Sequence, residues 1–382
     1  MNRYIRVVGG ALALATAMGV AVSPPSTAAT DPPTLRRLLH RLTTEDGAPG
    51  AFAEVEDRRG KTVLTSGVAN VDTGAPIPAD GRFRIGSMTK PYVATVILQL
   101  TGEHRVALDA PVERYLPGVV RGHGNDGRRI TVRQLLQHTS GLPDYLTYLS
   151  MPDLIADRYT HHDPADLLSL ALAHPPLFAP GKDWRYSNTD YLLAGMLIRK
   201  VTGHSYGKEV RRRILRPLGL HATYVPGDRA WIPGPHPNGY VRPGDDAPLI
   251  EMTEFNPSVA AASGDMISSG ADVSRFFDAL LHGRLLCPAQ LREMMTTRST
   301  GGANERAYGL GLESKRLPCG GVYWGHGGDV FGFQTLGGAT MGGRRATVMV
   351  NLDPGGTDAQ DDDAQAAIGA ALCEGPAVAS RA

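Results

Sequence analysis

Apolar positions change period along the chain. Pro33 to Thr44 places Leu35, Leu38, Leu39 and Leu42 on one face at helical spacing. Ala51–Glu56 and Thr62–Asn70 read as two strands around the polar turn Asp57-Arg58-Arg59-Gly60. From Lys90 to about Leu281 the pattern is mostly helical, broken by loops rich in Pro, Gly and Asp such as Gly227–Pro257. Strand-like runs then return at Tyr308–Glu313, Val322–His326, Phe331–Ala339 and Arg345–Leu352. Asp358–Leu372 predicts a last helix, its acidic start matching the positive end of the helix dipole.

Strands at both chain ends with helices between them predict an α/β (α+β) fold, with one sheet assembled from distant segments. The sheet domain is expected from residues 30–88 and 270–382, and a mostly helical inserted domain from 89–269, with the site in the cleft between them. The run Asp361-Asp362-Asp363 reads as a solvated helix start, because it lacks the glycine and spacing of an EF-hand.

Composition narrows the class. The 382 residues are 42% hydrophobic, 20% charged and 6% aromatic, which excludes disorder, collagen and coiled coil. A net charge of +1 offers no field for nucleic acid and no polybasic anchor for lipid. Residues 1–29 read as a signal peptide: Arg3 and Arg6, an uncharged apolar run from Val7 to Val22, then the small residues Ser26 to Ala29. The chain is expected to be secreted, cleaved after Ala29 and left without a stable membrane anchor. Its three cysteines suit an oxidising compartment. Three pairings are possible; the preferred one joins Cys319 to Cys373 and leaves Cys287 free. No CxxC or HExxH occurs, so no metal site is expected.

Two serines carry catalytic-looking patterns, each heading an S-x-x-K. Ser205 lies in Gly203-His204-Ser205-Tyr206-Gly207, which matches the G-x-S-x-G of a nucleophile elbow, but that elbow needs a strand before it. The preceding Tyr191–Val201 repeats at helical spacing, so Gly203 reads as a C-cap and Ser205 as an N-cap. Ser87, in Ser87-Met88-Thr89-Lys90, follows the strand-like Arg82–Ile85 and Gly86 and starts a helix carrying Val93, Val96, Ile97 and Leu100. A helix start favours an anion, and three residues on, Lys90 falls within reach of the Ser87 hydroxyl. Tyr186-Ser187-Asn188 is the only Y-x-N in the chain and His326-Gly327-Gly328 the only H-x-G; the latter is expected to end a strand. His138 reads as a structural hydrogen-bonder.

The ordered set Ile85-Gly86-Ser87-Met88-Thr89-Lys90, Ile130–Leu136, His138-Thr139-Ser140-Gly141-Leu142, Tyr186-Ser187-Asn188-Thr189, Pro217–Leu220, Tyr308–Leu312 and Gly325-His326-Gly327-Gly328 resembles the penicillin-recognising serine hydrolases. That family contains class C β-lactamases and low-molecular-mass penicillin-binding proteins, and the chain looks most similar to secreted D-alanyl-D-alanine carboxypeptidases. The resemblance implies an antiparallel sheet of the β-lactamase/transpeptidase type and an acyl-enzyme mechanism without metal or organic cofactor. It implies Ser87 as nucleophile, with Lys90 or Tyr186 as its base. Asn188 would hold Lys90 and meet the substrate amide, and His326 would steer the returning proton. Gly327, Gly328 and Asp329 would form the substrate-binding strand edge, the Asp329 amide completing the oxyanion site with that of Ser87. Partners implied are peptidoglycan-type D-Ala-D-Ala peptides or other acyl substrates, with β-lactams as inhibitors.

Departures from the family pattern shape the alternatives. The resembled carboxypeptidases have hydroxyl residues where this chain has Gly327 and Asp329, and an arginine where it has Glu313, with Lys315 and Arg316 slightly later. Two facing carboxylates repel by about 1 kcal/mol in water and more in a dry cleft, so the terminal-carboxylate pocket is expected to be weakened unless Asp329 points away or Arg316 compensates. The alternatives are a family esterase or amidase whose substrate lacks a terminal carboxylate, a β-lactamase, or a non-catalytic penicillin-binding sensor module.

Overall fold

A computed structural model describes residues 33–244, 247–301 and 306–374. The expected signal peptide lies outside the described residues. Eight strands form one antiparallel sheet in the order Gly60–Gly67, Gly50–Asp57, Arg345–Val350, Phe333–Ala339, Val322–Val330, Glu313–Arg316, Ala307–Tyr308 and Arg298–Ser299. The N-terminal hairpin therefore pairs with the last strand, Ala51 opposite Val350, as strands at both chain ends require.

Helices cover both faces. Pro33–Thr44 and Gln360–Cys373 pack on one side, burying Leu35, Leu39 and Leu42 with Val348, Val350, Ala367 and Ile368. Gly270–Leu281 packs on the other through Val273, Phe276 and Phe277. Phe276 stacks on Tyr92 with ring centroids 3.6 Å apart, and truncating such a buried aromatic costs about 3–5 kcal/mol. Strand Phe333–Ala339 meets this helix at Gly337, where a Cβ would stand 2.6 Å from Val273 and 2.8 Å from the Met88 sulfur. Glycine here lets the sheet press onto the turn that carries Ser87.

The chain enters and leaves the helical segment through a separate two-stranded sheet. Arg82–Arg84 pairs antiparallel with Ile267–Ser269, and the Thr89 hydroxyl accepts from the Met266 amide at 3.1 Å. Between these points, helix Thr89–Gly102 is buried almost all round, and helix Asn188–Thr202 packs against it. Among the described residues no helix is long and apolar enough to cross a membrane. Cys319 and Cys373 form a disulfide that ties the Val322–Val330 region to the last helix, and Cys287 is free and exposed.

Several strand boundaries differ from the sequence reading: the run Thr62–Asn70 forms a strand over Gly60–Gly67, and Arg345–Leu352 ends at Val350. Tyr308–Glu313 is not one strand: Tyr308 pairs with Glu313, and Gly309–Leu312 turns between them, with Gly311 at φ +71°. Alternating Gly and Leu mimics a strand period, but the left-handed glycine bends the chain. His326 does not end its strand, which continues to Val330. The next strand begins at Phe333, since Gly332 at φ +84° makes the turn.

Candidate active site

Ser87 lies in a single 3₁₀ turn, Gly86–Met88, that leads into helix Thr89–Gly102. Strand Val322–Val330 is pressed against this turn. Glu313–Arg316 covers only Val322–Gly325, so residues 326–330 have no partner from that strand. A Cβ on Gly86 would sit 2.8 Å from the Asp329 carbonyl and 2.9 Å from its amide nitrogen, and one on Gly328 would run into the Ile85 carbonyl. These glycines let two backbones approach, which brings the Asp329 amide beside the serine.

Lys90 is fully buried, and its Nζ reaches three oxygens: Ser87 Oγ at 2.9 Å, Asn188 Oδ1 at 2.8 Å and the Ser263 carbonyl at 2.7 Å. Burial pulls its pKa down from 10.5 to about 7, against the opposing pull of Asp144, Asp329, Glu313 and Asp190. A neutral amine is therefore accessible near neutral pH. Tyr186 lies beside this pair: the Lys90 ammonium stands 4.7 Å from its ring centroid, and its side chain lines the same cleft as Ser87. Burial raises the phenol well above its ordinary value, the Ser87 side chain partly offsetting it. Ser87, Lys90 and Asn188, drawn from positions a hundred apart, thus share one hydrogen-bonded cluster, with the Tyr186 ring packed against Lys90.

The loop bearing Tyr186 is fixed from below by His138. The His138 carbonyl accepts from the Arg185 amide at 3.0 Å, its Nδ1 accepts from the Ser187 amide at 3.3 Å, and its ring lies 4.3 Å from that of Tyr186. Asp190 lies 3.1 Å from the same Nδ1 and accepts from the Ser140 hydroxyl at 2.5 Å. The capping box of Thr131 and Gln134 starts the short helix Val132–Leu136 that delivers His138.

Other expectations are met only in part. Asn188 holds Lys90, but its Nδ2 donates to Asp144 at 2.9 Å, so a substrate amide must share that oxygen-rich corner. His326 is near Tyr186, ring centroids 6.3 Å apart, yet its Nδ1 donates to the Gly327 carbonyl at 2.6 Å and its Nε2 accepts from the Tyr308 hydroxyl at 2.9 Å. Burial drives its pKa down to about 4, so at neutral pH it carries no charge. Ser205 caps helix Tyr206–Val210 by accepting from the Lys208 amide, and Gly203 ends the preceding helix in the left-handed conformation.

Ser87 and Tyr186 open onto a cavity of about 640 Å³, shared with Trp184, Arg306, Lys315 and the carboxylates Glu313, Asp329, Asp361 and Asp362. Asp329 is exposed to this cleft but crowded by protein; desolvation, then Asp361 and Glu313, push its carboxyl up to about 6. Asp361 accepts from Gln334, so the acidic helix start faces the cleft and not only bulk solvent. Glu313 is buried. The cations beside it are Arg306, with Nη2 at 2.5 Å, and Lys315, at 3.7 Å. Burial alone would raise Glu313, but the neighbouring cations Arg306 and Lys315 help hold it below its ordinary value. Sequence reasoning also missed Asp144 and Ser263. Asp144 follows the His138–Leu142 motif by two positions, whereas Ser263 acts through a carbonyl that any residue supplies.

The chain is similar to known proteins in both sequence and shape. A D-stereospecific amidohydrolase from Streptomyces sp. superposes with a TM-score of 0.82 at 42% identity, covering 88% of this chain and 98% of that one. Esterase EstB of Burkholderia gladioli is 32% identical over 274 residues, 64% of this chain and 69% of the esterase. Penicillin-binding protein 4* of Bacillus subtilis is 26% identical over 283 residues, 71% of this chain but only 60% of that protein's length. Residues 35–371 match the family described as Beta-lactamase, and with this fold the chain belongs to the β-lactamase/transpeptidase family of serine hydrolases.

Proposed function

We propose that the protein is a serine amidohydrolase that forms an ester on Ser87 and cleaves amides of D-configured acyl groups bearing a free ammonium. The observation that carries this reading is Asp329: a carboxylate opens onto the cleft beside Ser87, where a binder of terminal carboxylates would need donors or positive charge. The likeness to a D-stereospecific amidohydrolase supports the amide and its hand.

In this mechanism the Lys90–Tyr186 pair takes the Ser87 proton as Oγ attacks the carbonyl carbon. The oxyanion forms between the amides of Ser87 and Asp329, one such donor contributing typically about 3–4 kcal/mol. The pair returns the proton to the leaving nitrogen as the C–N bond breaks, and water then hydrolyses the ester. Asn188 and the Ser263 carbonyl keep the Lys90 amine aimed at Oγ. β-Lactams are expected to acylate the same serine. Secretion is part of the reading, and the disulfide Cys319–Cys373 supports it.

A second reading, D-Ala-D-Ala carboxypeptidase, draws support from Arg306 and Lys315 in the cleft, although both sit against Glu313. The test compares D-phenylalaninamide, its L-enantiomer, a diacyl-lysyl-D-Ala-D-Ala peptide, a p-nitrophenyl ester and nitrocefin. Fastest turnover of the D-amide is expected; faster release of D-Ala from the peptide overturns the amidase reading.

A further inference from the structure

The proton-transfer pair needs a favourable charge nearby, and His326 does not supply one. Both of its ring nitrogens are occupied, by Tyr308 and by the Gly327 carbonyl. The next cation along the same wall is Arg306. Its guanidinium donates through Nη2 to Glu313, stands 5.7 Å from the ring centroid of Trp184, two residues before Tyr186, and shares the cleft with Ser87. We propose that Arg306, anchored by Glu313, is a positioning residue whose charge takes the place of the neutral His326 and sets the field in which Tyr186 and Lys90 accept the Ser87 proton. The role rests on the acyl-enzyme reading above.

The charges facing that pair come from every neighbouring element. The loop after His138 contributes Asp144, and helix Asn188–Thr202 contributes Asp190. The sheet contributes Glu313, Asp329 and Arg306. His138 and His326 are both held neutral by burial. Among the groups acting on Tyr186, Arg306 is the cation that favours the phenolate, whereas Glu313 and Asp329 oppose it. Glu313 also favours the charged form of Lys90. Removing Arg306 therefore weakens either residue as a base-form acceptor, and neutralising Glu313 does the reverse. The limb that falls between pH 5 and 9 is that of Lys90, near 7, since the Tyr186 phenol is held well above its ordinary value.

The experiment measures the rate of Ser87 acylation by a chromogenic cephalosporin from pH 5 to 9 in the wild type and in Arg306→Met, Arg306→Lys and Glu313→Gln. Folding of each variant is checked by circular dichroism. The acidic limb should move up by on the order of one pH unit in Arg306→Met and down in Glu313→Gln, with Arg306→Lys close to the wild type. Limbs that stay in place while only amplitudes fall, or that move the same way in both variants, overturn the proposal. Wild-type acylation that persists after Ser87→Ala would instead refute the serine assignment and is read separately.

Discussion

Asp329→Asn separates recognition of an ammonium from everything else the cleft does. The substitution keeps the shape of the side chain and the backbone amide expected at the oxyanion, and removes one negative charge. At about 4 Å, a carboxylate and an ammonium attract by about 1 kcal/mol in water and about 4 kcal/mol at the effective dielectric of a protein surface. Asp329 is exposed to the cleft, so a value between these, about 2 kcal/mol, is appropriate, or roughly 30-fold in kcat/KM. The assay compares D-phenylalaninamide with its N-acetyl derivative at pH 7.5, where a carboxyl with a pKa of about 6 is ionised. The variant should lose roughly 30-fold on the free amine and less than about 3-fold on the acetylated amide. The wild-type preference should fade as pH drops through 6, because protonation removes the charge. The same raised pKa has a cost in stability. An ionised Asp329 is less favourable in the folded protein than in the unfolded chain, so the wild type loses stability as pH rises from about 4 through 6. The shift from 3.8 to about 6 corresponds to about 3 kcal/mol, which solvent exposure cuts to about 1 kcal/mol. Asp329→Asn should therefore melt higher than the wild type at pH 7.5. Equal losses on both substrates would refute the ammonium assignment and leave Asp329 with a purely backbone role.

The Lys90 pKa of about 7 predicts that wild-type acylation by penicillin rises between pH 6 and 8, and that Lys90→Met reduces it by at least about 100-fold across that range; stopped-flow fluorescence reads both. Fluorescent penicillin should label Ser205→Ala but not Ser87→Ala, and Ser205→Ala should lose about 1 kcal/mol of stability with its helix cap in a urea titration. Asn188→Ala removes an anchor of Lys90 and a donor to Asp144, so kcat should fall by at least about 10-fold with a lower melting temperature, seen in parallel kinetics and calorimetry. Cys319→Ser opens a loop with a sequence separation of 54 and should cost about 2–5 kcal/mol in denaturant, leaving penicillin labelling intact after refolding.

What the sequence made legible follows the range of the interaction. Lys90 reaches Ser87 because three positions on a helix bring side chains to one face, a local rule, and the Ser205 cap and Gly203 terminus are local in the same way. Period two located most strands of the sheet but failed where glycine supplied the alternation without the backbone, at Gly309 and Gly311. His326 was placed near Tyr186 by its motif, but nothing local revealed that Tyr308, eighteen residues earlier, would take its Nε2.

The charged wall of the cleft was the least legible part, for a physical reason. Glu313 alone, read against a family pattern that has arginine there, suggests repulsion of an anionic substrate. Its actual partner, Arg306, stands seven residues earlier on the chain and is brought beside it because Tyr308 pairs with Glu313 across the glycine turn. The pairing register thus converts a carboxylate that looked opposed to substrate into the counterion of a cation in the cleft. No such partner reaches Asp329. The cations on the opposite wall are occupied by Glu313, and the charged neighbour that acts most on Asp329 is another carboxylate, Asp361, with Gln334 and Lys90 opposing it more weakly. Two carboxylates that face an open cleft beside the nucleophile repel each other in the free protein, Gln334 and Lys90 relieving this only in part, and a substrate ammonium relieves it further on binding. That difference between the two walls, paired at Glu313 and unpaired at Asp329, favours a cationic acyl donor over one ending in a carboxylate.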